Sequence, residues 1–266
     1  MLANWSIEAA KWRLLMQPLQ RLSFLTAFKA VFAGTSFAAN TPNRVGEYFG
    51  RMIYLEEGKR LQSIPLTVTG SYSQLIITLL MGSIGLVFYI QLAQYSMLTT
   101  ISLFWLKLFL IGAISVTCFA LLVYYKLSFI VNIISKLPWL HKYAYFFNTV
   151  DGLSTKLLNK VLLLSLLRYM VFLAQYLLVI QAFGIEVAIH QEAVLVAVLF
   201  LVMSIIPSFV IVEAGIRGSV SIELFKIVTT NTVGVVATGI FVWLLNLMLP
   251  AIIGVLLLLG KRVFKR

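Results

Sequence analysis

Residues 67–92 read TVTGSYSQLIITLLMGSIGLVFYIQL, a run without a single charged side chain. An α-helix needs ~20 predominantly apolar residues to cross roughly 30 Å of hydrocarbon in a bilayer. Residues 103–125, 160–183 and 231–260 form three further runs that are nearly free of charge. Because a backbone in lipid must satisfy its hydrogen bonds within the segment, we expect each run to be a helix. The sequence therefore predicts an all-α, polytopic membrane protein.

The overall composition supports this class. Of the 266 residues, 61% are hydrophobic and only 11% are charged, and the mean hydropathy is +0.99. The net charge of +12 would suggest nucleic acid as a partner for a soluble chain, but the basic residues lie mainly between the apolar runs. We therefore expect no nucleic-acid partner and one integral membrane domain over residues 1–266.

The distribution of lysine and arginine predicts the orientation. Basic residues fill the connection 126–160 and the end of the chain, 261–266, whereas residues 93–102 and 184–192 contain none. By the positive-inside rule, the first two segments are cytoplasmic and the other two are external. The C-terminus is thus predicted to lie on the cytoplasmic side.

Two short segments repeat one polar pattern beside the apolar runs. Residues 42–51 read PNRVGEYFGR and residues 207–217 read PSFVIVEAGIR. In each, a glutamate precedes an arginine by four residues, which puts both on one face of a helix. A charge near the bilayer centre costs about 2.5–3.5 kcal/mol, so these charges need partners or a polar ligand. The pairs are Glu47 with Arg51 and Glu213 with Arg217.

Pro42 and Pro207 cannot continue a helix, so we expect helical hairpins broken at these residues over 22–60 and 190–227. Three spans separate the hairpins, which makes them re-entrant from opposite faces and therefore inverted repeats. For 190–227, two full helices remain the alternative. Inverted repeats with broken helices are typical of membrane transporters. Residues 1–20 are predicted to be an interfacial helix or part of a span.

Polar residues inside two of the apolar runs add to the candidate site. Arg168 lies eight residues beyond Lys160, or roughly 12 Å into the membrane. Gln175 lies two turns along nearly the same face, and Gln74 and Thr78 share a face of the first long run. These side chains either make interhelical hydrogen bonds or line a polar cavity together with the charged motifs.

The chain offers little for catalysis. It contains no glycine-rich nucleotide loop, no cluster with metal-ligand spacing and no plausible catalytic triad. Its single cysteine has no partner for a disulfide within the chain. We therefore predict a protein that is not an enzyme and that uses no cofactor or metal.

Three stretches, NTPNRVGEYFGR at 40–51, GSYSQLIIT at 70–78 and SLLRYMVFLAQY at 165–176, resemble the lysylphosphatidylglycerol synthase transmembrane-region family. The resemblance extends from about Asn4 to the C-terminus. Members are flippase-like integral membrane proteins, which implies a bacterial cytoplasmic (inner) membrane. The cytoplasmic aminoacyltransferase domain of the founding enzymes has no counterpart here. In many relatives the second motif has a glycine-rich run, which this chain replaces with residues 208–212.

Together, the motifs and the resemblance predict a flippase-like protein that moves a phospholipid or lipid-linked intermediate between leaflets. The alternatives are a scaffold for an envelope lipid or glycan enzyme, and an ion-coupled transporter of a small solute. Arginine suits phosphate recognition because its guanidinium fork matches phosphate oxygens. The candidate head-group or translocation residues are Asn43, Arg44, Glu47, Arg51, Arg168, Glu213 and Arg217, with Gln74, Thr78 and Gln175 as supporting polar residues.

Overall fold

The computed structural model describes residues 1–39, 41–94, 102–126, 149–207 and 210–263. Most of the basic connection 126–160 and of the connection 93–102 lies outside the described residues. The described part is all-helical and contains no strand. Its α-helices are α1 (Leu2–Met16), α2 (Phe24–Ala38), α3 (Gly46–Met52), α4 (Ser63–Gln94), α5 (Leu103–Tyr125), α6 (Thr155–Ala182), α7 (Ile189–Ile205), α8 (Val210–Phe225), α9 (Thr232–Trp243) and α10 (Leu249–Val263).

Four of the described helices are long and apolar enough to cross a membrane. They are α4, α5, α6 and the continuous segment Thr232–Gly260, which contains α9 and most of α10. Each overlaps one of the four apolar runs in the sequence. An all-α chain with four such helices fits an integral membrane protein, as predicted.

We term residues 42–51 and 207–217 the first and second proline-led segments. The first one begins between two helices that pack on each other. Helix α2 begins after Ser23, whose Oγ accepts a hydrogen bond from the Thr26 N–H at 3.1 Å. It ends at Ala38, and a 3₁₀ turn, Pro42–Arg44, leads into α3. A Cβ on Gly50 of α3 would lie 2.4 Å from the carbonyl oxygen of Ala33. The close contact between α2 and α3 therefore requires glycine at that position.

The second proline-led segment also follows the end of a helix. Helix α7 ends at Ile205, two residues before Pro207, and α8 begins at Val210. Helix α7 packs closely on α4, where a Cβ on Gly82 or Gly85 would lie within 2.7 Å of an α7 side chain. The re-entrant and inverted character of both segments stays a prediction.

Helix α1 packs against α2, α4 and α6, although three of its polar side chains are buried. Asn4, Glu8 and Lys11 are each at most 4% exposed. They lie four and three residues apart, so they share one face of the helix. That face therefore points into the protein.

The last long helix contains a widened turn. Residues Leu244–Met248 are π-helical between α9 and α10. Such turns hydrogen-bond five residues along the chain and occur frequently at functional sites. Asn246 lies in this turn, 4% exposed, and its Nδ2 donates to the carbonyl oxygen of Val242 at 2.9 Å.

Candidate functional site: a basic cavity among the helices

A cavity of about 550 Å³ lies between the long helices, the N-terminal helix and the two proline-led segments. Its wall includes Arg168, Gln74 and Asn246, from three different candidate membrane-spanning helices. Arg168 is 13 residues into α6, which corresponds to about 20 Å along the helix axis. The cavity therefore lies well inside the long helices and away from their ends.

The wall has a polar part and an apolar part. The apolar part includes Phe172, Phe200, Val242 and Leu247, and Trp5 and Trp243 also line the space. The polar part brings in Arg44, Thr78, Ser204, Glu213 and Arg217. The wall therefore offers both charged and apolar surface to whatever enters the cavity.

Three charged residues of the wall form what we term the cavity ion cluster: Arg44, Glu213 and Arg217. Glu213 Oε2 contacts Arg44 Nη2 at 2.8 Å, and Glu213 Oε1 contacts Arg217 Nη2 at 2.5 Å. Arg217 Nη1 also donates to the hydroxyl oxygen of Tyr176 at 3.4 Å. Arg44 thus connects the first motif directly to the second.

Arg44 has an unusual backbone conformation. It is the single described non-glycine residue with a positive φ, at 59°. This left-handed region costs roughly 1–2 kcal/mol for a residue with a side chain. The contact with Glu213 gives the strained residue a partner, yet 40% of the Arg44 side chain stays exposed.

A second group, which we term the inner ion network, lies behind the wall except for Arg168, which is part of the wall. It consists of Glu8, Lys11, Glu47, Arg51 and Arg168. Glu8 pairs with Lys11 at 2.8 Å, with Arg51 at 2.9 Å and with Arg168 at 3.0 Å. Arg51 also pairs with Glu47. One carboxylate therefore ties α1 to α3 and α6.

The inner ion network reaches the cavity through Arg168 and a chain of amides. Arg168 Nε donates to Asn4 Oδ1 at 2.7 Å, and its Nη1 donates to Gln74 Oε1 at 3.4 Å. Asn4 Nδ2 in turn donates to Asn246 Oδ1 at 3.2 Å. These bonds hold the guanidinium of Arg168 at the wall, where 21% of its side chain is exposed.

Some of the sequence candidates line the cavity and others do not. Arg44, Gln74, Thr78, Arg168, Pro207, Glu213 and Arg217 line the cavity. Glu47 and Arg51 lie outside the cavity wall and belong to the inner ion network. Gln175 is also outside the wall, and its Oε1 is buried without a hydrogen-bond partner in the described part of the chain. The Asn43 side chain lies outside the described residues, and Pro42 begins the 3₁₀ turn.

Several residues of the candidate site were not predicted from the sequence. They are Asn4, Trp5, Glu8, Lys11, Tyr176 and Asn246. The spacing of Asn4, Glu8 and Lys11 was the available signal, since it puts three polar groups on one face of the helix. Among the described residues there is no group of three or more side chains that could hold a metal ion.

No protein-family model, curated protein or solved structure matches this chain. The resemblance to the lysylphosphatidylglycerol synthase transmembrane-region family stays a prediction.

Proposed function

We propose that this chain is a flippase-like protein that moves the head group of a phospholipid or lipid-linked intermediate between the leaflets of a bacterial cytoplasmic membrane. The observation that carries the proposal is the cavity wall, where Arg44, Arg168 and Arg217 face a space of about 550 Å³ among the apolar helices. Arginines among membrane-spanning helices are costly and commonly mark a substrate path.

Phosphate is the head-group chemistry that these side chains suit. Guanidinium groups present several N–H donors in a planar fork and bind phosphate oxygens in pairs. Arg168 is held from behind by Glu8 and by two amides, so it meets a ligand in a fixed orientation. Preorganised donors lose little conformational entropy on binding.

The apolar part of the wall supports a lipid rather than a free anion. Phe172 and Phe200 stack with ring centroids 5.1 Å apart beside the polar wall. A polar head could contact the arginines while the first acyl carbons contact these rings. The predicted inverted repeats would then supply alternating access from the two leaflets.

The test is leaflet movement of a fluorescent phospholipid in proteoliposomes, followed by chemical bleaching of the outer leaflet. Wild-type protein is expected to expose the inner-leaflet lipid to bleaching, and Arg217→Ala is expected to lose most of this activity. Arg60→Ala serves as the control, because Arg60 is also a paired arginine, 40% exposed, and lies outside the cavity wall.

Folding is checked by monodispersity in detergent and by thermal unfolding. If Arg217→Ala does not fold, Arg44→Ala takes its place, since its side chain is far more exposed. Folded wild-type protein without lipid movement would overturn the proposal and favour the scaffold alternative. Solute uptake driven by a pH gradient, without lipid movement, would favour the ion-coupled transporter.

A further inference from the structure

Both oxygens of the carboxylate on the cavity wall are paired with arginine. Glu213 is the one acidic residue among the described residues that line the cavity. Its Oε2 is taken by Arg44 and its Oε1 by Arg217. A positively charged ligand group that enters the cavity would compete with these two arginines for the carboxylate.

The amide acceptors of the wall are engaged in the same way. Asn4 Oδ1 and Gln74 Oε1 both accept from Arg168, and Asn246 Oδ1 accepts from Asn4. Each side-chain carbonyl therefore already accepts a hydrogen bond within the protein. The wall offers a ligand mainly donors.

The charge of the wall is correspondingly unbalanced. Three guanidinium groups line the cavity against one carboxylate. The second carboxylate that compensates Arg168 belongs to Glu8, which lies behind the wall and is 4% exposed. A ligand in the cavity thus meets an excess of positive charge at close range.

We propose that the cavity selects lipid head groups by charge, accepting a phosphate ester of net negative charge and rejecting one that carries an ammonium group. The selection deepens the proposed function and rests on it for the lipid source of the phosphate. A phosphate ester supplies only acceptors to the guanidinium forks. An ammonium group supplies only donors, and it meets three like charges beside a single carboxylate that is already paired with two arginines.

One variant separates this selection from general loss of binding. Arg44→Gln removes one cation and frees Oε2 of Glu213 to accept from an ammonium group. It is expected to bind zwitterionic lipid better than wild type does, while binding of anionic lipid weakens. Arg60→Gln is the matched control, with the same 40% exposure and an ion pair outside the cavity.

The experiment has a binding arm and a movement arm. Binding of short-chain lipids to the full chain in detergent is followed by tryptophan fluorescence, because Trp5 and Trp243 line the cavity. The probes are phosphatidylglycerol, phosphatidylethanolamine, lysyl-phosphatidylglycerol and soluble glycerol phosphate. Movement of fluorescent versions of the three lipids is measured in proteoliposomes of the same protein.

We expect the affinity for phosphatidylglycerol to be at least about tenfold higher than the affinity for either ammonium-bearing lipid. In Arg44→Gln we expect this ratio of affinities to be smaller. Equal binding of all three lipids, or tighter binding of the lysyl ester, would overturn the charge selection even if lipids move. Selective binding without movement would support the selection and contradict the transport proposal. Glycerol phosphate that binds as tightly as phosphatidylglycerol would overturn the lipid as the phosphate source.

Discussion

The first and second motifs share one spacing of glutamate and arginine but have different surroundings. In the first, Arg51 is 3% exposed and pairs with Glu8 and Glu47 behind the cavity wall. In the second, Glu213 and Arg217 line the cavity itself. The same local pattern thus pairs buried charges between helices in one place and lines a cavity in another.

Tertiary contacts with helix α1 make this difference. Glu8 supplies the first motif with a buried carboxylate, and the second motif receives no equivalent residue from α1. Instead, Glu213 is reached by Arg44, which belongs to the first motif. The first motif thus contributes one arginine to each ion group.

The largest expected effect comes from Glu8→Gln. This change leaves Lys11, Arg51 and Arg168 close together without the central carboxylate. Breaking a buried ion pair by removing one partner typically costs 3–5 kcal/mol. We expect a marked loss of stability in thermal or denaturant unfolding in detergent. An unchanged midpoint would show that the inner ion network does not hold the helices together.

The next largest effect concerns a glycine in each motif. Gly50→Ala in the first motif would put a Cβ 2.4 Å from the Ala33 carbonyl oxygen, and overpacking of this kind costs roughly 1–3 kcal/mol. Gly215→Ala in the second motif meets no atom within 4 Å.

Because alanine favours a helix over glycine by about 0.8–1 kcal/mol, we expect Gly215→Ala to be neutral or stabilising. Unfolding midpoints of the two variants, measured side by side, check this contrast. If both variants lose stability equally, the two motifs are packed alike and the comparison fails.

The smallest expected effect on stability comes from Arg44→Ala. Its ion pair is partly exposed to solvent, and such pairs contribute about 0.2–1 kcal/mol. Lipid movement is nevertheless expected to fall, since the residue lines the cavity. Unfolding and leaflet movement measured on one preparation distinguish these effects. A large loss of stability with full activity would show that Arg44 stabilises the fold and does not take part in lipid movement.

The apolar runs predicted the long helices well, because length and hydropathy suffice to identify helices that can cross a membrane. The ends were less accurate, as α6 shows: it begins at Thr155, five residues before the apolar run. Ser154 caps this helix by accepting from the Leu157 N–H at 3.3 Å. A polar first turn can therefore precede the apolar part of a helix.

The candidate site was predicted only in part. The pairing of Glu47 with Arg51 and of Glu213 with Arg217 followed from local spacing, and both ion pairs are present. The partners of Glu8 could not be derived in this way, because Arg51 and Arg168 lie 43 and 160 residues away along the chain. Long-range ion pairs depend on helix packing, which the periodicity of one segment does not determine.

The π-helical turn at Leu244–Met248 has a consequence for the tolerance of the chain to length changes. A π turn holds one residue more than a regular turn over the same helical register. Deletion of Leu245 could therefore restore a regular helix and leave both flanks in register. We expect this deletion variant to fold in detergent but to turn Asn246 away from Asn4, whereas a one-residue deletion within α4 would misalign its two halves. The π-helical turn is thus a position in the last long helix where the chain can change length by one residue while the flanking helices keep their packing.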